Sequence, residues 1–169
     1  RSDLNYELPD GSHALAYDND AVRAMNPLSG ELSLPGWDES YSKDEMKALL
    51  EQYKNVSEED LWDNLKYFLD RVIKTAEEVK VKMAIHPDDP PWGIFGLPRI
   101  ITNKQNLERF LKLYDSPYNG LTLCSGSLGV DPNNDIIDMV RTFADRIHFA
   151  HIRNVKITGE HCFEEAGHK

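Results

Sequence analysis

Apolar residues recur at three- and four-residue spacing over one long stretch of this chain. Leu61, Leu65, Phe68, Leu69, Val72, Ile73, Ala76 and Val79 form a single stripe, the mark of an amphipathic helix. Ser57 with Asp60 predicts its capped start, and the stripe predicts a run to about Lys80. A shorter helix is predicted from Ser42, with Met46, Leu49, Leu50 and Tyr53 on its buried face. Beyond Lys80 the period changes. Val81 to Ile85 is a short apolar run that stops at His86, ahead of Pro87, Pro90 and Pro91, which cannot continue a ladder. Thr102 and Gln105 resemble a capping box for a helix carrying Leu107, Phe110, Leu111 and Tyr114. Asn119-Gly120 reads as a turn into a second strand, Gly120 to Leu123, followed by Cys124 and a small-residue loop, Ser125 to Gly129. Asp135 predicts the cap of a helix with Ile136, Ile137, Val140, Phe143 and Ala144, and Ile147 to Ile152 predicts a third strand.

Strand, helix, strand, helix, strand is the pattern of a parallel sheet with crossover helices. Three strands alone leave two open edges. The expectation is therefore an α/β fold of the TIM (β/α)8 barrel type, of which this chain is a partial segment. Residues 43–169 would supply the helix and the successive βα units, within one partial catalytic domain spanning 1–169. Residues 1–42 are punctuated by Pro9-Asp10-Gly11, Asn26-Pro27, Ser29-Gly30 and Pro35-Gly36, and read as a loop-rich insertion with one short helix near Asp20 to Met25.

Each of the three strands ends in a soft metal-ligand residue: His86, Cys124 and His151. Parallel strands send the same end to one face, so these residues are expected to meet. A lone histidine or cysteine is more often plain core. Three at successive strand ends point to a metal, and a His/Cys/His set suits Zn²⁺, Fe²⁺, Co²⁺ or Mn²⁺ better than Mg²⁺ or Ca²⁺. Alternation along an extended strand turns His148 and His151 to opposite faces. His151, nearer the strand end, is assigned to the site, and His148 to the helices or a subunit contact. Asp88 and Asp89 are candidates for a fourth ligand, although a solvated loop is the favoured reading. Arg99, Arg153 and Lys156 are candidate clamps for a substrate carboxylate. The amides of the Ser125–Gly129 loop are candidates for binding an anion or hydroxyls.

The chain has 169 residues and a formal net charge of −10, so it is a poor general partner for nucleic acid or an anionic membrane. No stretch approaches the apolar length of a membrane span, and Arg1-Ser2-Asp3-Leu4 lacks the core of a signal peptide. The two cysteines, Cys124 and Cys162, are expected to be reduced thiols in a cytoplasmic protein, with Cys162 a loop thiol of no particular role.

Several long motifs carry a resemblance to a known family. The run Ala84 to Arg99, AIHPDDPPWGIFGLPR, resembles mannonate dehydratase, as do Gly120 to Ser127 and His148 to Lys156. Leu8 to Gly11 and Leu34 to Trp37 are similar to it as well. The resemblance implies a sugar-acid dehydratase of hexuronate breakdown on a xylose-isomerase-like TIM barrel. Its members convert D-mannonate to 2-keto-3-deoxy-D-gluconate and water using Fe²⁺ or Mn²⁺. It implies that His86, Cys124 and His151 ligate the metal and that a completing aspartate lies beyond Lys169; Arg99, Ser125, Arg153 and Asn154 are assigned to substrate binding. It also implies a family length roughly twice this one, a small sugar-acid substrate and a homo-oligomer. A metal-dependent sugar isomerase on the same barrel, a structural metal domain and a fragment inactive alone stand as alternatives.

Overall fold

Ser57 opens the longest helix by a reciprocal cap. Its hydroxyl accepts from the amide of Asp60 at 3.2 Å, and its own amide donates to the Asp60 carboxylate at 2.8 Å. In the computed structural model, which describes residues 3–26 and 42–167, the described residues fall into two compact units. One is built from residues up to Val56, Gly93–Leu97 and the stretch from Asn154. The other comprises Ser57–Trp92 and Pro98–Arg153.

The second unit holds the predicted α/β pattern. Helix α3 (Glu58–Glu78) leads into β3 (Met83–Ile85), α4 (Lys104–Leu113), β4 (Asn119–Cys124), the short α5 (Ser125–Gly129), α6 (Ile136–Phe143) and β5 (Ile147–His151). The strands pair in parallel in the order β3-β4-β5. These described residues form an open sheet rather than a closed barrel. Leu121 and Leu123 on one face of β4 pack with Trp62, Leu69 and Ile73 of α3, Leu107 and Phe110 of α4 and Met139 of α6. Arg109 of α4 also lies over the Trp62 ring at 4.4 Å and pairs with Glu59 of α3 through both terminal nitrogens.

Several boundaries differ from the sequence expectation for local reasons. Helix α3 stops at Glu78 because the next residues close it in a Schellman arrangement. Lys80 takes a left-handed φ of 58°, its amide donates to Glu77 O and the Val81 amide to Ala76 O. Val81 is thereby spent on the helix end, and the strand starts at Met83. The α4 cap is Asn103, one residue after the predicted Thr102, whose hydroxyl instead accepts from the Asn106 side chain. Asn119 and Gly120 are strand residues, not a turn, and Ser125–Gly129 is a helical turn, not a loop.

The parity argument for the two histidines of β5 fails. Register runs Leu121↔Ile147, then Thr122↔Phe149 and Cys124↔His151, so the pairing skips His148 in a bulge. The bulge re-aims that side chain. A Cβ on Gly120 would lie 2.4 Å from the His148 ring, so the ring occupies the face of β4 that Gly120 shares with Cys124. His148 therefore does not face the helices.

The first unit corrects the loop-rich reading over residues 3–26. Strands β1 (Asp3–Glu7) and β2 (His13–Tyr17) form a hairpin, and β6 (Val155–Gly159) and β7 (Cys162–Glu165) form a second. They join through β2 and β7 into an antiparallel sheet ordered β1-β2-β7-β6. Asp10 turns the first hairpin by accepting from the Ser12 amide and hydroxyl, and these bonds hold its carboxyl below the ordinary range. Tyr17 and Phe163 stack at 5.2 Å between centroids. The predicted short helix is present as α1 (Asn19–Ala24), and the Ser42 helix as α2 (Lys43–Tyr53). Cys162 lies in a strand, not a loop, and its sulfur accepts from the Asn19 amide at 3.4 Å. The turn signals from Pro27 to Gly36, and Leu34 to Trp37, lie outside the described residues. No described helix is long and apolar enough to cross a membrane.

Ser57→Ala is expected to cost about 1 kcal/mol of stability at neutral pH. Part of this cost depends on charge: the Ser57 hydroxyl and amide hold the Asp60 carboxyl below its ordinary 3.8, so that part is complete above that value. It is lost as the pH falls through the depressed folded value. The gap between the urea midpoints of wild type and Ser57→Ala should therefore narrow in acid; a gap that widens there would contradict the assignment.

Candidate metal centre

Each of the three parallel strands delivers one donor atom. His86 follows β3, Cys124 is the last residue of β4 and His151 the last of β5. One ligand atom from each lies within 4.8 Å of the others. The Cys124 sulfur is 3.3 Å from His151 Nδ1, and His86 Nε2 is 3.4 Å from the same nitrogen. Donors bound to one ion at about 2.1 Å for nitrogen and 2.3 Å for sulfur sit about 3.5 Å apart in a tetrahedral shell. The two spacings to His151 Nδ1 match that value, and the third pair lies within 4.8 Å.

Hydrogen bonds fix what each donor offers. His86 Nδ1 is 2.7 Å from the Pro87 carbonyl, which only accepts, so Nδ1 carries the proton. In the neutral ring Nε2 then presents a lone pair toward His151. A ligating histidine anchored by its other nitrogen to a backbone carbonyl is the usual arrangement around a metal. Cys124 is fully buried and caps α5 with its side chain. Its sulfur accepts from the Ser127 amide at 3.3 Å and the Ser127 hydroxyl at 3.1 Å. The amides expected to hold a substrate anion are thus partly committed to the sulfur. The donor set, two imidazoles and a sulfur, suits a transition metal.

The loop after β3 packs beside these ligands. Asp88 is not a solvated carboxylate. Its oxygen accepts from the amides of Ile100 and Ile101 at 3.0 and 2.9 Å, which pins the loop. Asp89 pairs with Arg153. Neither aspartate belongs to the cluster of converging donors. Arg153 stands just beyond β5. Its amide donates to Ser125 Oγ at 3.0 Å, that hydroxyl donates to the Arg153 carbonyl at 2.7 Å, and its stem lies against Gly126, where a Cβ would come within 2.7 Å. Sequence reasoning singled out Ser125 and Arg153, and the structure ties them to each other. Arg99 donates to the Pro90 carbonyl at 2.8 Å. Asn154 and Lys156 belong to the other unit. There the Asn154 side chain donates to the Gly167 carbonyl. Lys156 donates to Glu164 at 2.9 Å, which holds its ammonium above the ordinary value.

Sequence reasoning missed the roles of Ser127, Gly126 and Asp89 around the ligands. The signal available for them was the small-residue run after Cys124 and the paired aspartates after His86.

Known proteins match this chain over its whole length. The family profile for D-mannonate dehydratase (UxuA) matches residues 1–169. Mannonate dehydratase 2 of Halalkalibacterium halodurans is 59% identical over 170 residues, covering 99% of this chain and 49% of the relative. Mannonate dehydratase of Streptococcus agalactiae serotype V is 55% identical, with the same coverage of 99% and 49%. The crystal structure of mannonate dehydratase from Streptococcus suis serotype 2 superposes with a TM-score of 0.84 at 49% identity, over 98% of this chain and 44% of that one. The chain thus spans about half the length of the curated relatives it matches. With the profile matched end to end and the fold shared at this identity, the chain belongs to the D-mannonate dehydratase family.

Proposed function

We propose that the full-length protein carrying this chain dehydrates D-mannonate to 2-keto-3-deoxy-D-gluconate and water with Fe²⁺ or Mn²⁺. The convergence of His86, Cys124 and His151 carries this reading. Family membership supplies the substrate class. The parallel β3-β4-β5 sheet is read as part of a (β/α)8 barrel. Phe149 and Ile152, 61% and 64% exposed at its β5 edge, support further strands packing there.

Dehydration of a sugar acid removes a proton from the carbon beside the carboxylate and a hydroxyl from the next carbon. The enol that remains rearranges to the keto acid. When bound, the ion supplies Lewis-acid stabilisation of the negative charge that builds as the proton leaves. His86, Cys124 and His151 would hold it, with the Pro87 carbonyl orienting His86 and Ser127 orienting Cys124. Arg153 receives the substrate carboxylate, aimed by Asp89 and by the stem's seat on Gly126. Arg99 and Ser125 complete the substrate contacts in this reading.

Cys124→Ala in the full-length protein is expected to lower bound metal at least about 10-fold, since even the outer partners of a metal ligand are worth that much, and to abolish turnover. Elemental analysis with mass spectrometry of the product checks both. Retained metal and turnover would remove Cys124 from the site, and a product of unchanged mass would favour an isomerase. Gly126→Ala should push the Arg153 stem aside and raise KM about 10-fold, the worth of one charge-assisted bond, with metal content unchanged. Steady-state kinetics showing wild-type KM would contradict the assigned role of Arg153.

A further inference from the structure

His148 is not among the converging donors, yet its placement is unusual. It is the residue skipped by the β4–β5 pairing. From that bulge its ring crosses β4 where Gly120 leaves room. A Cβ there would lie 2.4 Å from two ring atoms and 2.5 Å from the Arg146 carbonyl, so only glycine fits without a shift. The ring ends on β3, with Nδ1 2.6 Å from the Met83 carbonyl. A carbonyl only accepts, so Nδ1 carries the proton. Nε2 is buried with no hydrogen-bond partner among the described residues. Burying a polar atom unpaired is costly, and a ring kept at that cost calls for a purpose.

Positions along the strands suggest the purpose. Met83 precedes His86 by three residues, Gly120 precedes Cys124 by four and His148 precedes His151 by three. We propose that His148 is a positioning residue for the metal centre. By bridging β5 to β3 across Gly120 of β4, it fixes the relative offset of the strands whose ends carry His86, Cys124 and His151. The bulge that admits its ring also sets the pairing of Cys124 with His151, because the register after it differs by one residue from the register before it. The inference rests on the reading of those three residues as metal ligands.

The test uses the full-length protein with Co²⁺ as the probe, read through the sulfur-to-cobalt charge-transfer absorption and the visible ligand-field bands. His148→Leu removes the donor to Met83 and is expected to weaken Co²⁺ binding about 10- to 100-fold, the range typical of residues that orient ligands, and to shift the bands. His148→Asn keeps an N–H donor near the place of Nδ1 and is expected to restore affinity and spectrum. Gly120→Ala crowds the ring and also the Arg146 carbonyl, so it displaces His148 together with the backbone leading into β5. It should reproduce the loss, and it carries the test where His148→Leu does not fold. A wild-type spectrum in His148→Leu or Gly120→Ala overturns the inference alone. So does equal loss in the Leu and Asn variants. A wild-type protein that shows no sulfur-to-cobalt band overturns the metal reading itself, and this inference with it.

Discussion

Three electron-pair donors cannot be held against one another without something positive between them. This constraint governs the centre. The His86 proton is drawn to the Pro87 carbonyl, which turns Nε2 inward as a bare acceptor. The Cys124 sulfur already accepts two bonds from Ser127. His151 Nδ1 faces both. A proton on that nitrogen, or one on the sulfur, satisfies a single neighbour at a time. A divalent ion would satisfy all three at once, which is why the arrangement supports a metal more strongly than any single residue does.

Parallel pairing is what makes the convergence inexpensive. Each ligand sits at the same end of its strand, so no ligand needs a long loop to reach the others. The loop after β3 is tied back by Asp88 to two amides, and the segment after β5 is tied by Ser125 to Arg153. Both connections leave the ligand-bearing ends short and held. Asp89 then couples the two segments through Arg153, so the cation proposed for substrate is oriented by the loop that begins at a ligand. Such support from outer partners separates a working site from a merely nearby set of residues.

The second unit was largely legible from sequence because its signals are local. The Ser57 cap, the apolar stripe through Ile73 and the Asp135 cap each act within one helix. His86, Cys124 and His151 were legible as a set because strand ends in a parallel sheet share a face. What escaped depends on pairing between distant segments. Val155 and Ile157 alternate with polar neighbours, a strand signal in itself, but nothing local says that β7 pairs with β2. Pro9-Asp10-Gly11 read as punctuation in a loop, whereas Asp10 closes a hairpin whose strands are too short to announce themselves. The face of His148 was misjudged for a similar reason. Period-two alternation holds only while the register holds, and one bulged residue reverses it.

The central claim is that one ion is held jointly by two imidazole nitrogens and the Cys124 sulfur. X-ray absorption at the metal edge of the purified full-length protein measures this most directly. The account predicts a single sulfur neighbour at about 2.3 Å, together with nitrogen or oxygen neighbours at about 2.0–2.2 Å that include imidazole scattering. A shell of oxygen alone, with no sulfur contribution, would contradict it.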